Sequence, residues 1–460
     1  MTRSLRIALS AWAATTLLVA ASVLLVYLLR GADGFQILIQ TGPLTDLAIT
    51  LFSVGAAWLL AGFLLFLLST HRLDKNNALV LGGFFLTAFV YLNLLRERPE
   101  YGDVEYYARA ALDLYADKHL PPEYFYPPFW ANLLELFAPL GESVIFFFAW
   151  VLNLFSLLAF YFLLSKVLQR YNFSTRLAFL TTTLFMLANA TLVRTLFYVQ
   201  VNLHVLNLIL LALLLFRERP LLSAFAMALA VHFKASPAVL VLAFLLELDW
   251  KWLAYFALSM LLIAVPTLLM HGFSPFQDFI NNTSLLVQSH GLSFRDSSFD
   301  SFFTAIGRIF HLASLWVRIL IYASKVLLVA LTLFVTAKCV RARTFLQSEE
   351  RGTRLLNAVP PLCVLMTLAS PVVWEHHGIF TALAFLLLLK KIESPSERMW
   401  FGFAYFLEFI LPTFDFFPWS YGRLVAPLII LGLMWLASRR ETESIVFSGI
   451  NSWFEVPAGG

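Results

Sequence analysis

The stretch LLSAFAMALAVHFKASPAVLVLAFLLEL (221–248) is apolar almost throughout, yet His232, Lys234 and Pro237 interrupt it near its middle. A helix needs about 20 apolar residues to cross roughly 30 Å of hydrocarbon. The stretch is therefore too long for one simple span and short for two. Proline removes a helical hydrogen bond and breaks or kinks the helix, and a lysine at mid-membrane costs about 2.5–3.5 kcal/mol on insertion scales. Two readings follow: one kinked span, or two short helices, 221–232 and 237–248, meeting at HFKASP (232–237). The choice decides on which side of a membrane every later loop lies.

The rest of the chain has the composition that makes this question meaningful. Sixty per cent of its 460 residues are apolar, 13% are charged and the mean hydropathy is +0.80, whereas soluble domains carry about 25% charged residues. The chain reads as an all-α, polytopic membrane protein, with spans near 8–29, 46–68, 78–95, 143–165, 177–193, 201–216, 252–270, 316–336, 355–370, 376–389, 399–414 and 422–437, besides the divided stretch. The basic start (Arg3, Arg6) resembles a signal peptide, but its apolar core of about 20 residues exceeds the 7–15 of a signal core, so it reads as an uncleaved first span. The net charge of +4 is scattered over loops and forms no basic stripe, which argues against nucleic acid as a partner. Cys339 and Cys363 lie in or beside apolar segments and are too few for a disulfide framework.

Basic loops decide between the two readings. With the N-terminus inside and two short helices at 221–248, the inner loops collect Arg3/Arg6, Arg72/Lys75, Lys166/Arg170/Arg176, Arg217/Arg219, the Lys338–Arg354 group, Lys390/Lys391/Arg398 and Arg439/Arg440. That is about twice the number outside, as the positive-inside rule expects. A single kinked span would turn the basic 338–354 and 390–398 loops outward. The expectation is therefore about 14 transmembrane helices with both termini inside, the 221–248 pair leaning on its neighbours. Residues 1–75 form two additional N-terminal spans, 76–440 the main transmembrane domain and 441–460 a cytoplasmic tail.

This topology gathers the unusual residues on one outer face: the loop 96–142, the Arg194–Asn202 turn, the Lys234 elbow, the long loop 271–315, SPVVWEHH (370–377) and the Asp415–Arg423 turn. Four of these segments carry a resemblance. GDVEYYARAALDLYADKHLPPEYFYPPFWANLLELFAPLG (102–141), QVNLHVLNLILLALLLFRERP (200–220), AMALAVHFKASPAVLVL (226–242) and SPVVWEHHGIF (370–380) are similar, in that order, to the polyprenyl-phosphate-mannose-dependent α-mannosyltransferases that include the bacterial phosphatidylinositol-mannoside mannosyltransferases, of the GT-C superfamily. The likeness covers roughly residues 78–440; DSFFTAIGRIF (300–310) matches loosely. It implies a GT-C architecture with outer-face loops and short amphipathic helices. The implied reaction transfers a sugar, mannose in the family, with inversion from a polyprenyl-phosphate donor to a lipid or glycan hydroxyl on the outer face of a bacterial inner membrane. No cofactor is expected, and no carboxylate cluster in the outer loops has the spacing of a dedicated metal site.

In that superfamily an acidic residue of the first outer loop is the general base, and Asp103 matches it. A sugar hydroxyl is a poor nucleophile, and a positioned carboxylate that takes its proton is worth about 10²–10⁴ in rate. The bland alternative is a solvated loop carboxylate. Glu105, two residues on, would face away from Asp103 on a helix, while Asp113 and Asp117 with Arg109 read as an exposed ion-pairing face. Lys234 either snorkels or stabilises the charge of a phosphate leaving group. His376 and His377 are adjacent, unlike the i, i+4 pairs of zinc helices; one is expected to face the cavity, with Glu375 orienting a histidine. Gln200 and Asn202 either bind sugar hydroxyls or satisfy helix ends. Arg308 is the favoured phosphate contact among the arginines, ahead of Arg295 and Arg423. Tyr107 and Tyr126 stand for an aromatic group (Tyr106, Tyr124, Phe125, Trp130) that is either an interfacial belt or a cavity wall stiffened by Pro127 and Pro128. The long loop 271–315 is expected to order over substrate. A transporter or flippase of lipid-linked saccharides would want similar features, but transporters often carry internal repeats, and neither the Asp103 nor the Lys234 segment has a second copy.

Overall fold

The computed structural model describes residues 102–289, 296–347, 350–411 and 419–454, with scattered positions between 6 and 28. The expected spans 46–68 and 78–95, and Arg295 and Asp415, lie outside the described residues. Every regular element described is helical: α1 (Val104–Asp117), α2 (Phe129–Glu135), α3 (Glu142–Arg170), α4 (Thr175–Leu187), α5 (Ala190–Phe197), α6 (Asn202–Leu215), α7 (Pro220–Phe233), α8 (Val241–Leu246), α9 (Trp250–His271), α10 (Ser274–Ser289), α11 (Phe299–Ile309), α12 (Ser314–Ala342), α13 (Thr353–Leu368), α14 (Ala382–Leu388), α15 (Pro395–Tyr405) and α16 (Gly422–Phe454). Tighter 3₁₀ segments cover Ser236–Leu240 and Glu375–Thr381, and α15 ends in a π turn, Phe406–Ile410.

Among the described residues, four helices are long and apolar enough to cross a membrane: α3, α9, α12 and the Gly422–Thr442 part of α16. The stretch read as a span over 177–193 is not one helix. α4 and α5 meet at 66°, because the chain leaves helical geometry at Ala188 and Asn189 caps the next helix by accepting the Leu192 N–H at 2.9 Å. Taken as one bent span, the pair makes a fifth crossing. α6, α7 and α13 are apolar but only 14, 14 and 16 residues long. Helices of about 21–24 Å fall short of a bilayer core and depend on packing.

The divided stretch behaves as two helices. α7 ends at Phe233, Lys234 is extended and Pro237 opens the 3₁₀ turn that leads into α8. Contacts on either side fix the direction. Lys234 meets Asn202 at the start of α6, whereas Trp252, just after α8, donates Nε1–H to Ser223 near the start of α7 at 3.0 Å. The chain therefore climbs along α7, reverses at the elbow and returns before α9 climbs again. α7 packs between α6 and α9, which supplies the neighbours a short helix needs.

The region read as a long loop, 271–315, holds two helices. α10 buries Asn282, whose side-chain N–H groups donate to the carbonyls of Pro121 and Tyr124, pinning the aromatic loop from below. α11 is capped by Ser298 and closes against α12 so tightly that a Cβ at Gly307 would lie 2.4 Å from Val317. The expected tail is also helical as far as Phe454.

Candidate active site

Helix α1 sets the position of Asp103. Val104, Tyr107, Ala108, Ala111 and Leu114 recur at three- and four-residue steps and are buried, while Glu105, Tyr106 and Arg109 are exposed. Glu105 thus faces away, and Arg109 and Asp113 form the expected surface pair at 3.7 Å. Gly102 lets the chain approach the end of α5: a Cβ there would come within 2.5 Å of Tyr198 Cα. Aspartate at a helix start usually accepts a first-turn N–H, but the Asp103 side chain makes no such cap bond. Its carboxylate is turned instead towards Tyr126 and Lys234.

Around it lies a shell of buried polar groups from five segments. Gln200, fully buried after α5, accepts from the Tyr107 hydroxyl at 3.0 Å and the Tyr126 hydroxyl at 3.3 Å. Lys234 Nζ donates to Asn202 Oδ1 at 2.9 Å and lies 2.8 Å from His377 Nε2. An ammonium donor there leaves Nε2 as the acceptor nitrogen. The same Nζ lies 5.6 Å and 5.5 Å from the ring centroids of Tyr126 and Phe380, a cation–π arrangement. Asn202 also donates to the His376 carbonyl at 3.1 Å, so one side chain ties the α6 start to the lysine elbow and the histidine turn.

A second layer holds the histidine turn. Glu375 lies 3.0 Å from Arg423 and 3.6 Å from Arg194, all three mostly buried. Arg423 also donates to the Glu408 and Leu411 carbonyls. Glu408, 1% exposed, accepts from Thr381 at 3.1 Å and stands so close to Gly378 that a Cβ would meet its Oε1 at 2.6 Å. Burial pushes the Asp103 carboxyl up to about 6, against the opposing pull of Lys234 and the Tyr126 hydroxyl. Burial likewise brings the Lys234 ammonium down to about 7, with Asp103 opposing.

Nine of the ten expected site residues therefore fall together: Asp103, Tyr107, Tyr126, Gln200, Asn202, Lys234, Glu375, His376 and His377. Arg308 does not. It lies exposed in the last turn of α11, whose other end approaches the site through Ser297 N–H donating to the Val373 carbonyl. Arg423 occupies the buried position instead. Glu408 was not expected; an ionisable residue inside the apolar run FGFAYFLEFILP (401–412) is the signal that marks it.

The arrangement sets a buried carboxyl within electrostatic reach of a lysine, among hydrogen-bonding side chains and aromatic rings. A family model, Glycosyltransferase family 87, matches residues 124–371, more than half of the chain. The match includes Tyr126, Gln200, Asn202 and Lys234; Asp103, Tyr107 and the Glu375–His377 turn lie beyond its ends. No curated protein and no solved structure matches the chain.

Proposed function

The chain belongs to glycosyltransferase family 87, and from that premise we propose that this membrane glycosyltransferase takes its sugar from a polyprenyl phosphate and uses Asp103 as general base. The observation that carries the reading is the buried Asp103 carboxyl within electrostatic reach of Lys234, whose ammonium is held by Asn202 and His377 beside Tyr126 and Gln200. The acceptor hydroxyl would give its proton to Asp103 as its oxygen attacks the anomeric carbon from the face opposite the phosphate. The glycosidic C–O bond breaks, its electron pair leaves on the phosphate, and the anomeric configuration inverts. Lys234 meets the charge that develops there, in a site where water is largely replaced by fixed dipoles. Arg194 and Arg423 hold Glu375, and through the backbone of the histidine turn keep His376 and His377 in place. Mannose as the sugar, a lipid or glycan acceptor, action on the outer face and a topology of about 14 crossings belong to the same proposal, supported by the motif likeness and the distribution of basic loops.

The test is transfer from a radiolabelled polyprenyl-phosphate mannose in proteoliposomes. Asp103→Asn should lower the rate by about 10²–10⁴ while donor binding persists, and Asp113→Asn, on the exposed face of α1, should match the wild type. Wild-type rates in Asp103→Asn would remove the base assignment. Activity with a nucleotide sugar alone would remove the donor class.

A further inference from the structure

The helices that reach the candidate site carry a second polar pocket at their far ends. α16 brings Arg423 to Glu375 and then, 18 residues and about 27 Å further along its axis, presents Glu441 to Lys391 at 2.6 Å. That is close to the thickness of a bilayer core. The cavity there has a volume of about 180 Å³ and lies among the α3–α4 turn (Tyr171, Asn172, Phe173), Gln347 after α12, and Lys390 and Lys391 after α14.

Its charges do not cancel. Glu441 receives Lys391 through one oxygen and the Gln347 amide through the other, at 2.9 Å. Lys390 donates to the Asn172 carbonyl at 2.9 Å and lies 4.8 Å from the centroid of the Phe173 ring. Among the described residues no carboxylate comes within ion-pair distance of it, and burial and Lys391 both hold its ammonium below the usual lysine range. The cavity thus keeps a surplus cation with spare N–H donors above an apolar floor. Just before the same turn, Arg170 buries its Nε–H without an acceptor, while Arg217 pairs with Glu350.

We propose that this pocket binds the phosphate of an anionic phospholipid headgroup from the leaflet on the side opposite the candidate site. A soluble phosphate has the same charge chemistry, but location favours the lipid. The pocket lies where apolar helices end, Leu389 is exposed beside Lys390 in the chain, and this end carries the basic loops that the positive-inside rule assigns to the cytoplasm. Basic pockets between transmembrane helices on that side bind anionic headgroups.

The full-length protein in detergent, examined by native mass spectrometry with dioleoylphosphatidylglycerol, dioleoylphosphatidylcholine or inorganic phosphate, tests this without any activity measurement. Phosphatidylglycerol should be retained and phosphatidylcholine lost. Lys390→Gln, which leaves the Lys391–Glu441 pair intact, should weaken retention about fivefold, while Lys166→Gln, an exposed lysine at the same end, should leave it unchanged. Equal retention of both lipids, or no effect of Lys390→Gln, would overturn the proposal. Displacement of the lipid by inorganic phosphate at equal concentration would make this a soluble-anion site and overturn the lipid assignment.

Discussion

Asp103 and Lys234 have ordinary values far apart and are brought close to each other, about 6 and about 7, because the same burial penalises both charges. A base must be ionised, so activity should rise with pH through about 6. In the proposed mechanism Lys234 must stay protonated to meet the charge of the leaving phosphate, so activity should fall above about 7. The pair should therefore give a narrow bell in kcat/KM whose limbs belong to the pair and not to either residue alone. Arginine stays charged at any accessible pH, so Lys234→Arg, if it folds, should lose the descending limb and keep the ascending one. A descending limb unmoved by Lys234→Arg would show that another group titrates there. Part of this was legible in the sequence: the family likeness singled out Asp103, helical phase put Glu105 on another face, and Lys234 stands out in an apolar run. The solvated-loop alternative for Asp103 could be set aside only in three dimensions, where burial is the largest influence on its carboxyl. Choosing Arg423 over Arg308 needed the fold as well, since both are lone arginines near expected outer turns, and only the partners of Glu375 separate them.

The joint between the 3₁₀ segment Glu375–Thr381 and the π turn Phe406–Ile410 holds the histidine turn in place, and it is built around a missing side chain. Gly378 has an ordinary backbone conformation, so alanine there is strained by space alone, chiefly by Glu408 Oε1 at 2.6 Å. Overpacking of this kind costs about 1–3 kcal/mol, so Gly378→Ala should lower the thermal midpoint and the transfer rate together. Glu408→Ala removes the obstructing oxygen. In a double-mutant cycle followed by thermal unfolding, Gly378→Ala should therefore cost less in the Glu408→Ala background than in the wild type. Strictly additive shifts would mean that the contact does not limit the packing. Sequence periodicity could not reveal this joint, because a π turn and a 3₁₀ turn disrupt the 3.6-residue pattern by which helices are recognised. The α4–α5 bend escaped for a related reason: Asn189 is the one amide in a run of apolar residues and threonines (177–193), and its capping role appears only when Leu192 N–H is seen to point at it.

The candidate site and the lysine pocket lie at opposite ends of one helix bundle, joined by α16, and the reversal at Lys234 keeps that polarity consistent through the chain. Before the elbow, α6 descends from the site; after it, α9 climbs back to bring His271 against Glu135 at 2.8 Å, behind the aromatic loop. The hairpin was the hinge of the sequence reading, and loop charge was enough to favour it, since turning it into one kinked span would have carried Asp103 and His377 to opposite sides. What loop charge could not supply was helix length: α6 and α13 are short and almost wholly enclosed by their neighbours, and enclosure is a tertiary property. The polarity can be tested on the whole molecule with an impermeant maleimide, because both native cysteines are buried and stay silent. Asp117→Cys, exposed at the end of α1, should label from outside in intact cells. Glu393→Cys, whose side chain is 73% exposed beyond the lysine pocket, should label only after the membrane is permeabilised. If both labelled from the same side, the two ends would not be separated by a bilayer, and Asp103 and the headgroup pocket could not face opposite leaflets. If the two patterns were exchanged, the bundle would be inverted, and the sugar donor would have to be sought on the cytoplasmic side.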